Sequence, residues 1–251
     1  GAPSPTSNNH HHGGSGSSGA AGGGPAVCED AVLRIGHFAT PVVMALARTS
    51  DTLMQRRALL MMQRLCHSGF NKFNMQRSCG VIEDLVSLLQ RKDVIQQALV
   101  LECLALLAST DNAAYGENAR ALGEARAMRP LMLLCRSADP TVHLHATWAL
   151  ACMTVCERNH VAMRASYDTL LEVIAKGTPA AQKYAIFAVT NLAYTEKSRE
   201  MLKEKGAEAL LRHCAHNNRG DRMLTELINR NTLVNLRRGG LPPFQVPSPH
   251  A

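Results

Sequence analysis

The sequence has few aromatic side chains and no long apolar run. Phe, Trp and Tyr make up 4% of its 251 residues, with a single Trp, whereas hydrophobic residues reach 46%. Leu, Ala, Val and Met must therefore form the core, and such residues favour close-packed helices over a β-sandwich. Because eighteen consecutive apolar residues occur nowhere, we expect no transmembrane helix.

The eight cysteines include no Cys-x-x-Cys pair, and most of them lie inside apolar stretches. Cys103 and Cys135, for example, each adjoin a leucine within an apolar stretch, where cysteine acts as a small core residue. This usage predicts a reducing intracellular compartment, with the cytoplasm or the cytoskeleton as the expected location.

Residue patterns for catalysis, metal binding and phosphate binding are also missing. His143 and His145 lie near Cys152 and Cys156. Side chains two positions apart on a helix point in directions about 200° apart, which leaves too few ligands for a zinc ion. No glycine-rich loop follows a strand. We therefore expect no catalytic residue, no metal ion and no cofactor.

The formal charge of +7 is moderate, and Lys and Arg form no run of five. A basic surface of this kind fits a partner with an acidic surface. Nucleic-acid arms are more densely charged, so direct nucleic-acid binding is the less favoured alternative. Its signature would be an affinity that falls steeply with salt concentration.

Both ends of the chain differ in composition from its middle. Residues 1–26 are rich in Gly, Ser, Ala and Pro and carry no charge, which predicts a flexible tail. Residues 239–251 contain repeated prolines that cannot continue a helix. We expect this C-terminal tail either to be loose or to lie as an extended strap on a neighbour. The folded region is then 27–238.

The folded region contains an internal repeat with helical periodicity. In the segment 80–89, apolar residues at positions 82, 85, 86, 88 and 89 cover one helix face. Similar segments recur at intervals of about 40 residues. Each is followed by a polar break and then by a longer apolar segment, and Pro140 and Pro179 stand where the longer helix would begin. The recurring segments contain Val43, Leu85, Leu131, Leu170 and Leu210.

Four stretches of this repeat can be compared with a known family. They are Gly80-Val81-Ile82 with Leu85, Gly206-Ala207 with Leu210, Ala146-Thr147-Trp148-Ala149-Leu150, and Ala188-Val189-Thr190-Asn191-Leu192-Ala193. On these residues the chain resembles the armadillo family over about residues 30–238, in roughly five units. The resemblance implies an all-α, right-handed α-solenoid whose units each have one short helix and two longer ones. The related HEAT-type repeat is the alternative.

The resemblance further implies a concave groove lined by the third helix of each unit. In the family, two positions four residues apart on that helix, commonly Trp and Asn, face the ligand. Phe187 and Asn191 come close to this pattern, whereas Trp148 is followed by Cys152. The arrangement that nuclear-import adaptors use for basic peptides is therefore incomplete. The predicted groove residues are Arg56, Arg64, Trp148, Phe187, Asn191, Asn231 and Asn235.

One alternative concerns two residues of this set. Trp148 and Phe187 could pack between helices instead of facing a ligand. If the alignment is right, residues 148, 187 and 235 should lie on one continuous surface.

Basic side chains at both ends of the solenoid can hold acidic groups. The C-terminal set is Arg230, Arg237 and Arg238.

These features predict a non-enzymatic scaffold that binds a protein partner or peptide through the concave groove. The alternative is a structural subunit of a large cytoskeletal or ribonucleoprotein assembly, anchored by its surface and tails. In either case the expected partner is a protein, as a peptide segment or a neighbouring subunit, and an acidic surface would suit it.

Overall fold

The structure is a computed structural model that describes residues 38–110, 114–241 and 244–248. Within these ranges the chain is helical, and no β-strand occurs in them. The prediction of an all-α fold is therefore confirmed. The predicted flexible tail 1–26 lies outside the described residues.

The helices follow one another in groups of three after an initial pair. The pair is α1 (residues 38–47) and α2 (Thr52–Cys66). The second group is α3 (Gly69–Cys79), α4 (Val81–Leu88) and α5 (Val94–Ala108), and the third is α6 (Tyr115–Glu124), α7 (Met128–Leu134) and α8 (Pro140–Met153). The fourth is α9 (Glu157–Met163), α10 (Tyr167–Lys176) and α11 (Pro179–Leu192), and the fifth is α12 (Glu196–Glu204), α13 (Ala207–Asn217) and a composite third helix. That helix joins α14 (Arg222–Glu226), a π-helical turn (Leu227–Thr232) and α15 (Leu233–Arg238).

The third helix of each group packs against its counterpart in the next group. Helix α2 packs on α5, α5 on α8, α8 on α11, and α11 on the π-helical turn. Beyond their first turns α5 and α8 are buried, continuously over residues 100–108 and 145–153, with Leu104 and Leu150 among the side chains that solvent does not reach. Stacked units of this kind bury a continuous core although each has few aromatic residues.

Side-chain caps begin the third helices at the polar breaks of the sequence. Because the first N–H groups of a helix have no partner within it, a short polar side chain there stabilises the helix. Pro140 and Pro179 are the first residues of α8 and α11, as predicted. The capping residues are Asp51 for α2, Asp93 for α5, Asp139 for α8, Thr178 for α11 and Asp221 for α14.

Three buried asparagines link the end of one unit to the start of the next. Asn71, Asn118 and Asn159 lie in α3, α6 and α9, and the Nδ2 of each donates to a main-chain carbonyl near the end of the preceding third helix. Carbonyls at the end of a helix lack the regular intrahelical donors, so the asparagine supplies each of them with a side-chain donor and helps to fix the turn. The acceptors are Leu65, Leu107 and Met153, at 3.2, 2.7 and 3.0 Å.

In the second, third and fifth units the turn between the first and second helices contains a left-handed residue, whereas in the fourth unit a 3-10 turn (Arg164–Ser166) connects them. Gly80 and Gly206 occupy this position with φ of 57° and 78°, and Arg126 occupies it in the third unit with φ of 57°. Glycine adopts this conformation without steric strain, whereas a residue with a Cβ does not. The Gly80 and Gly206 motifs of the sequence therefore mark a backbone requirement.

Cysteines occupy the helical core, as their apolar sequence context predicts. Cys79 and Cys156 are half-buried, and none of the described cysteines takes part in a disulfide. Burial raises the pKa of Cys135 to about 12, which keeps its thiol protonated and unreactive. The buried cysteines are Cys66, Cys103, Cys135, Cys152 and Cys214.

Candidate functional site

The candidate site is the surface on which the C-terminal segment lies. We use this name for residues 239–248, of which 239–241 and 244–248 are described. Helix α15 ends at Arg238, and Gly239 and Gly240 follow with φ of 68° and 94°. With a ψ of −172° as well, Gly239 has a backbone conformation that residues with a Cβ rarely adopt, so the reversal of the chain favours glycine there.

Asn235 on α15 makes the first contact with this segment. Its Oδ1 accepts a hydrogen bond from the N–H of Leu241 at 3.0 Å, and its Nδ2 donates to the carbonyl of the same residue at 3.4 Å. The Nδ2 also donates to the carbonyl of Thr190, which orients the amide. One side chain thus pairs with both polar main-chain groups of a single residue.

Asn191 on α11 repeats this arrangement one unit earlier. Its Oδ1 accepts from the N–H of Phe244, and its Nδ2 donates to the Phe244 carbonyl at 3.1 Å. The Nδ2 also donates to Thr154 Oγ1 at 3.0 Å. Asn191 is 0% exposed, so these bonds are shielded from water.

The spacing of the two pairs matches the spacing of the helices. The paired residues, Leu241 and Phe244, are three apart, and three extended residues span at most about 10–11 Å. Packed helices lie about 8–10 Å apart. In an extended chain, residues three positions apart can therefore pair with the asparagines of two neighbouring third helices.

Beyond Phe244 the segment continues toward earlier units. The Thr110 N–H and Oγ1, just after α5, both donate to the Val246 carbonyl, the Oγ1 at 3.0 Å. The Tyr184 hydroxyl donates to the Pro247 carbonyl at 3.3 Å. Val246 is 0% exposed, whereas Gln245 faces solvent. This change of burial between neighbours is typical of extended backbone.

A row of aromatic rings runs beside these hydrogen bonds. Phe244 packs on Phe187 with ring centroids 5.9 Å apart, and Phe187 lies 6.4 Å from Tyr184. Tyr184 stacks on Trp148 at 5.8 Å, and Trp148 meets His145 at 6.2 Å. Burial raises the pKa of Tyr184, so its hydroxyl stays protonated as a donor.

Three of the residues that sequence analysis selected meet at this site. Phe187, Asn191 and Asn235 all touch the C-terminal segment. Trp148 is 0% exposed and packs behind Tyr184, between α8 and α11. Asn231 is half-buried on the π-helical turn and makes no hydrogen bond to the described part of the segment.

The selected arginines lie in other surroundings. Arg56 pairs with the capping residue Asp93 at 2.7 Å, and Arg64 is exposed in the last turn of α2. In the C-terminal set, Arg237 donates twice to Glu208 Oε1, at 2.8 and 3.0 Å. The other two members, Arg230 and Arg238, are exposed.

Sequence analysis missed Thr110, Tyr184 and the segment itself as parts of this site. Tyr184 could have been found by periodicity, because positions 184, 187 and 191 share one helix face. Thr110 carried no signal, since it lies after the end of α5. The described residues hold no group of three or more His, Cys, Asp or Glu suited to a metal ion. None of their helices has both the length and the apolarity needed to cross a membrane.

Comparison with known proteins supports the fold. No protein-family model matches the chain, and no curated protein matches it significantly. Among solved structures it is similar to an engineered protein at 22% identity and a TM-score of 0.75, over 88% of this chain and 87% of that one.

Two further similar structures are designed armadillo repeat proteins. One, in complex with the peptide (KR)4, has 17% identity and a TM-score of 0.72 over 83% of this chain and 86% of its own. The other, from a set computationally designed for modular peptide recognition, has 16% identity and a TM-score of 0.68 over 83% and 92%. The predicted armadillo-like solenoid is thereby confirmed, and the chain has the armadillo repeat fold.

Proposed function

We propose that the chain is a non-enzymatic scaffold whose third helices bind an extended peptide segment of a protein partner. The observation that carries this proposal is the double pairing of Asn191 with Phe244 and of Asn235 with Leu241. Each amide satisfies the N–H and the carbonyl of one residue, as a neighbouring β-strand would. Such contacts recognise a peptide backbone whatever its side chains are.

Two further observations support the proposal. Phe187 offers an aromatic surface beside the paired backbone, where a side chain of the peptide can pack. The similar solved structures include proteins designed for peptide recognition, which suits a binding role for this fold. None of the site's side chains is a nucleophile placed beside a base, so binding is the chemistry that they serve.

The alternative function, a structural subunit of a cytoskeletal or ribonucleoprotein assembly, has a different observation in its favour. Large apolar side chains remain exposed near the N-terminal units. Leu53 on α2 and Phe70 on α3 are each 57% exposed. A neighbouring subunit could cover them. This alternative does not require Asn191 or Asn235, and that difference separates the two.

The test is selection of binders from a random peptide library displayed on phage. The bait is the full chain carrying Val246→Asp, because a charge at this fully buried position disfavours docking of the C-terminal segment and frees the site. Kd values for the selected peptides are then measured by calorimetry. The same bait is compared with versions that also carry Asn191→Ala with Asn235→Ala, or Asn217→Ala. Asn217 is exposed on α13 and serves as the matched control.

We expect the double asparagine variant to bind the selected peptides at least about tenfold more weakly, since each lost hydrogen bond contributes about 0.5–1.5 kcal/mol. The Asn217→Ala version should bind as the bait does. Failure to select any peptide, or equal affinity in all three versions, would refute the proposed function.

A further inference from the structure

The C-terminal segment uses the same atoms that a bound partner would need. Both asparagine amides are paired with it, and Phe244 covers the Phe187 ring. A second backbone cannot reach these groups while the segment is in place. The surface proposed for peptide binding is therefore already occupied by the chain itself.

We propose that residues 239–248 are an intramolecular competitor, and that the partner peptide they compete with is uncharged and apolar at the positions that become buried. The partner would carry a large apolar side chain where Phe244 lies and a branched aliphatic one where Val246 lies. This inference rests on the proposed function and adds the chemistry of the ligand and the regulation of the site.

The chemistry of the ligand follows from the residues that hold the segment. The side chains that hold residues 241–247 by hydrogen bonds or ring contact are neutral: Asn235, Asn191, Phe187, Tyr184 and Thr110. Arg199 lies beside Gly239 at the start of the segment, and its guanidinium donates to the carbonyls of Ala193 and Tyr194. The segment has no Asp, Glu, Lys or Arg. A charged residue at the Val246 position would be buried without a counter-ion, which is strongly unfavourable.

Proline favours this mode of binding. Leu241 and Val246 each precede a proline, and the residue before proline is biased toward extended backbone. Proline itself has no N–H to leave without a partner. A proline-rich peptide also has less conformational freedom to lose when it is ordered. We therefore expect the competing partner segment to contain proline.

The tether makes the segment an effective but reversible competitor. It is joined to α15 through Gly239 and Gly240, whose positive φ angles reverse the chain directly onto the site. A short link of this kind gives an effective concentration on the order of millimolar. The apparent affinity for a partner is then reduced by the fraction of molecules whose site is free.

The experiment uses a fluorescein-labelled synthetic peptide with the sequence of residues 239–250, and fluorescence anisotropy gives its Kd. The proteins are the full chain, its Val246→Asp variant and its Gln245→Asp variant. The last is the matched control, because it places the same charge one residue away at an exposed position. A fourth protein combines Val246→Asp with Asn191→Ala.

We expect Val246→Asp to bind the peptide at least about tenfold more tightly than the unaltered chain or the Gln245→Asp control, a difference of about 1.4 kcal/mol. Adding Asn191→Ala should remove most of this gain. A labelled peptide of alternating Lys and Arg should bind Val246→Asp at least about tenfold more weakly than the segment peptide.

Equal affinity of Val246→Asp and the unaltered chain would overturn the competition. Tighter binding of the Lys/Arg peptide would overturn the assigned ligand chemistry. If library peptides still bind through Asn191 and Asn235 in either case, the proposed function stands without this inference. Circular dichroism verifies folding, and should Val246→Asp unfold the chain, Phe244→Asp, at a half-buried position, replaces it in the same comparison.

Discussion

Replacing Asn191 by Ala should release the middle of the C-terminal segment without unfolding the solenoid. The substitution removes the acceptor of the Phe244 N–H and the donor to its carbonyl. Were the segment to stay docked, both groups would be buried without partners, at about 1–3 kcal/mol each. Undocking returns them to water, so the segment should detach instead.

The expected magnitude follows from the two lost hydrogen bonds. At a net contribution of about 0.5–1.5 kcal/mol each, docking weakens by about 1–3 kcal/mol, which corresponds to roughly a 5- to 150-fold change in the docking equilibrium. The protection of the Phe244 amide against hydrogen exchange should fall by that factor. The Leu241 amide should lose less, because Asn235 still accepts its hydrogen bond.

Amide hydrogen exchange measured by NMR or mass spectrometry on the full chain provides the assay. The control is Asn217→Ala, which removes an exposed asparagine on another helix. Unchanged Phe244 protection in Asn191→Ala would refute the reasoning. So would an equal loss of protection in the control, or a loss that extends to the core amides of α5 and α8.

Three further predictions concern stability, measured by urea unfolding. Gly206→Ala should lower the free energy of unfolding by about 1–2 kcal/mol, because alanine is strained at the φ of 78° found there. No atom lies within 4 Å of the added Cβ, so backbone strain alone accounts for this loss. Asn118→Ala should lower it by about 1–3 kcal/mol, because the buried Asn118 amide gives up its hydrogen bonds to the carbonyls of Leu107 and Lys72. Hydrogen bonding from the Gln96 N–H, and then from Arg56, lowers the pKa of Asp93. The ionised Asp93 carboxylate therefore stabilises the fold above its unfolded pKa of 3.8, and this contribution is lost as the pH falls through the lower folded pKa. In Asp93→Asn the free energy of unfolding should depend less on pH in that range.

Matched variants serve as controls for the first two of these measurements. Arg126→Gly relieves the same left-handed position in another unit and should stabilise the chain. Asn74→Ala removes from α3 a half-buried asparagine whose amide makes an exposed hydrogen bond to the Phe70 carbonyl of its own helix, and it should change stability less. Equal effects of Asn118→Ala and Asn74→Ala, no effect of Gly206→Ala, or an unchanged acid profile in Asp93→Asn would each contradict its prediction.

Much of the fold could be predicted because its determinants are local. Helical periodicity places Leu85 and Leu131 on buried helix faces, and Pro140 and Pro179 mark helix starts through their fixed φ. The same periodicity selected Phe187 and Asn191 as neighbours on one face. Their role toward a partner stays a prediction.

The occupant of the site could not be predicted, because it depends on long-range placement. A proline-rich stretch such as 239–251 has the composition of a loose tail, and nothing local indicates where it lies. Its docking requires that Asn235 and Asn191, 44 positions apart in the sequence, meet the same chain three residues apart. Trp148 illustrates the same limit. Its local sequence gives no indication that the Tyr184 ring stacks on it.

A crystal structure of the Val246→Asp chain with a library-selected peptide tests the central claim most directly. We predict that one peptide residue pairs through its N–H and carbonyl with Asn191, and that a residue three positions away pairs likewise with Asn235. A peptide bound on another surface, with both asparagine amides turned away from it, would contradict the account.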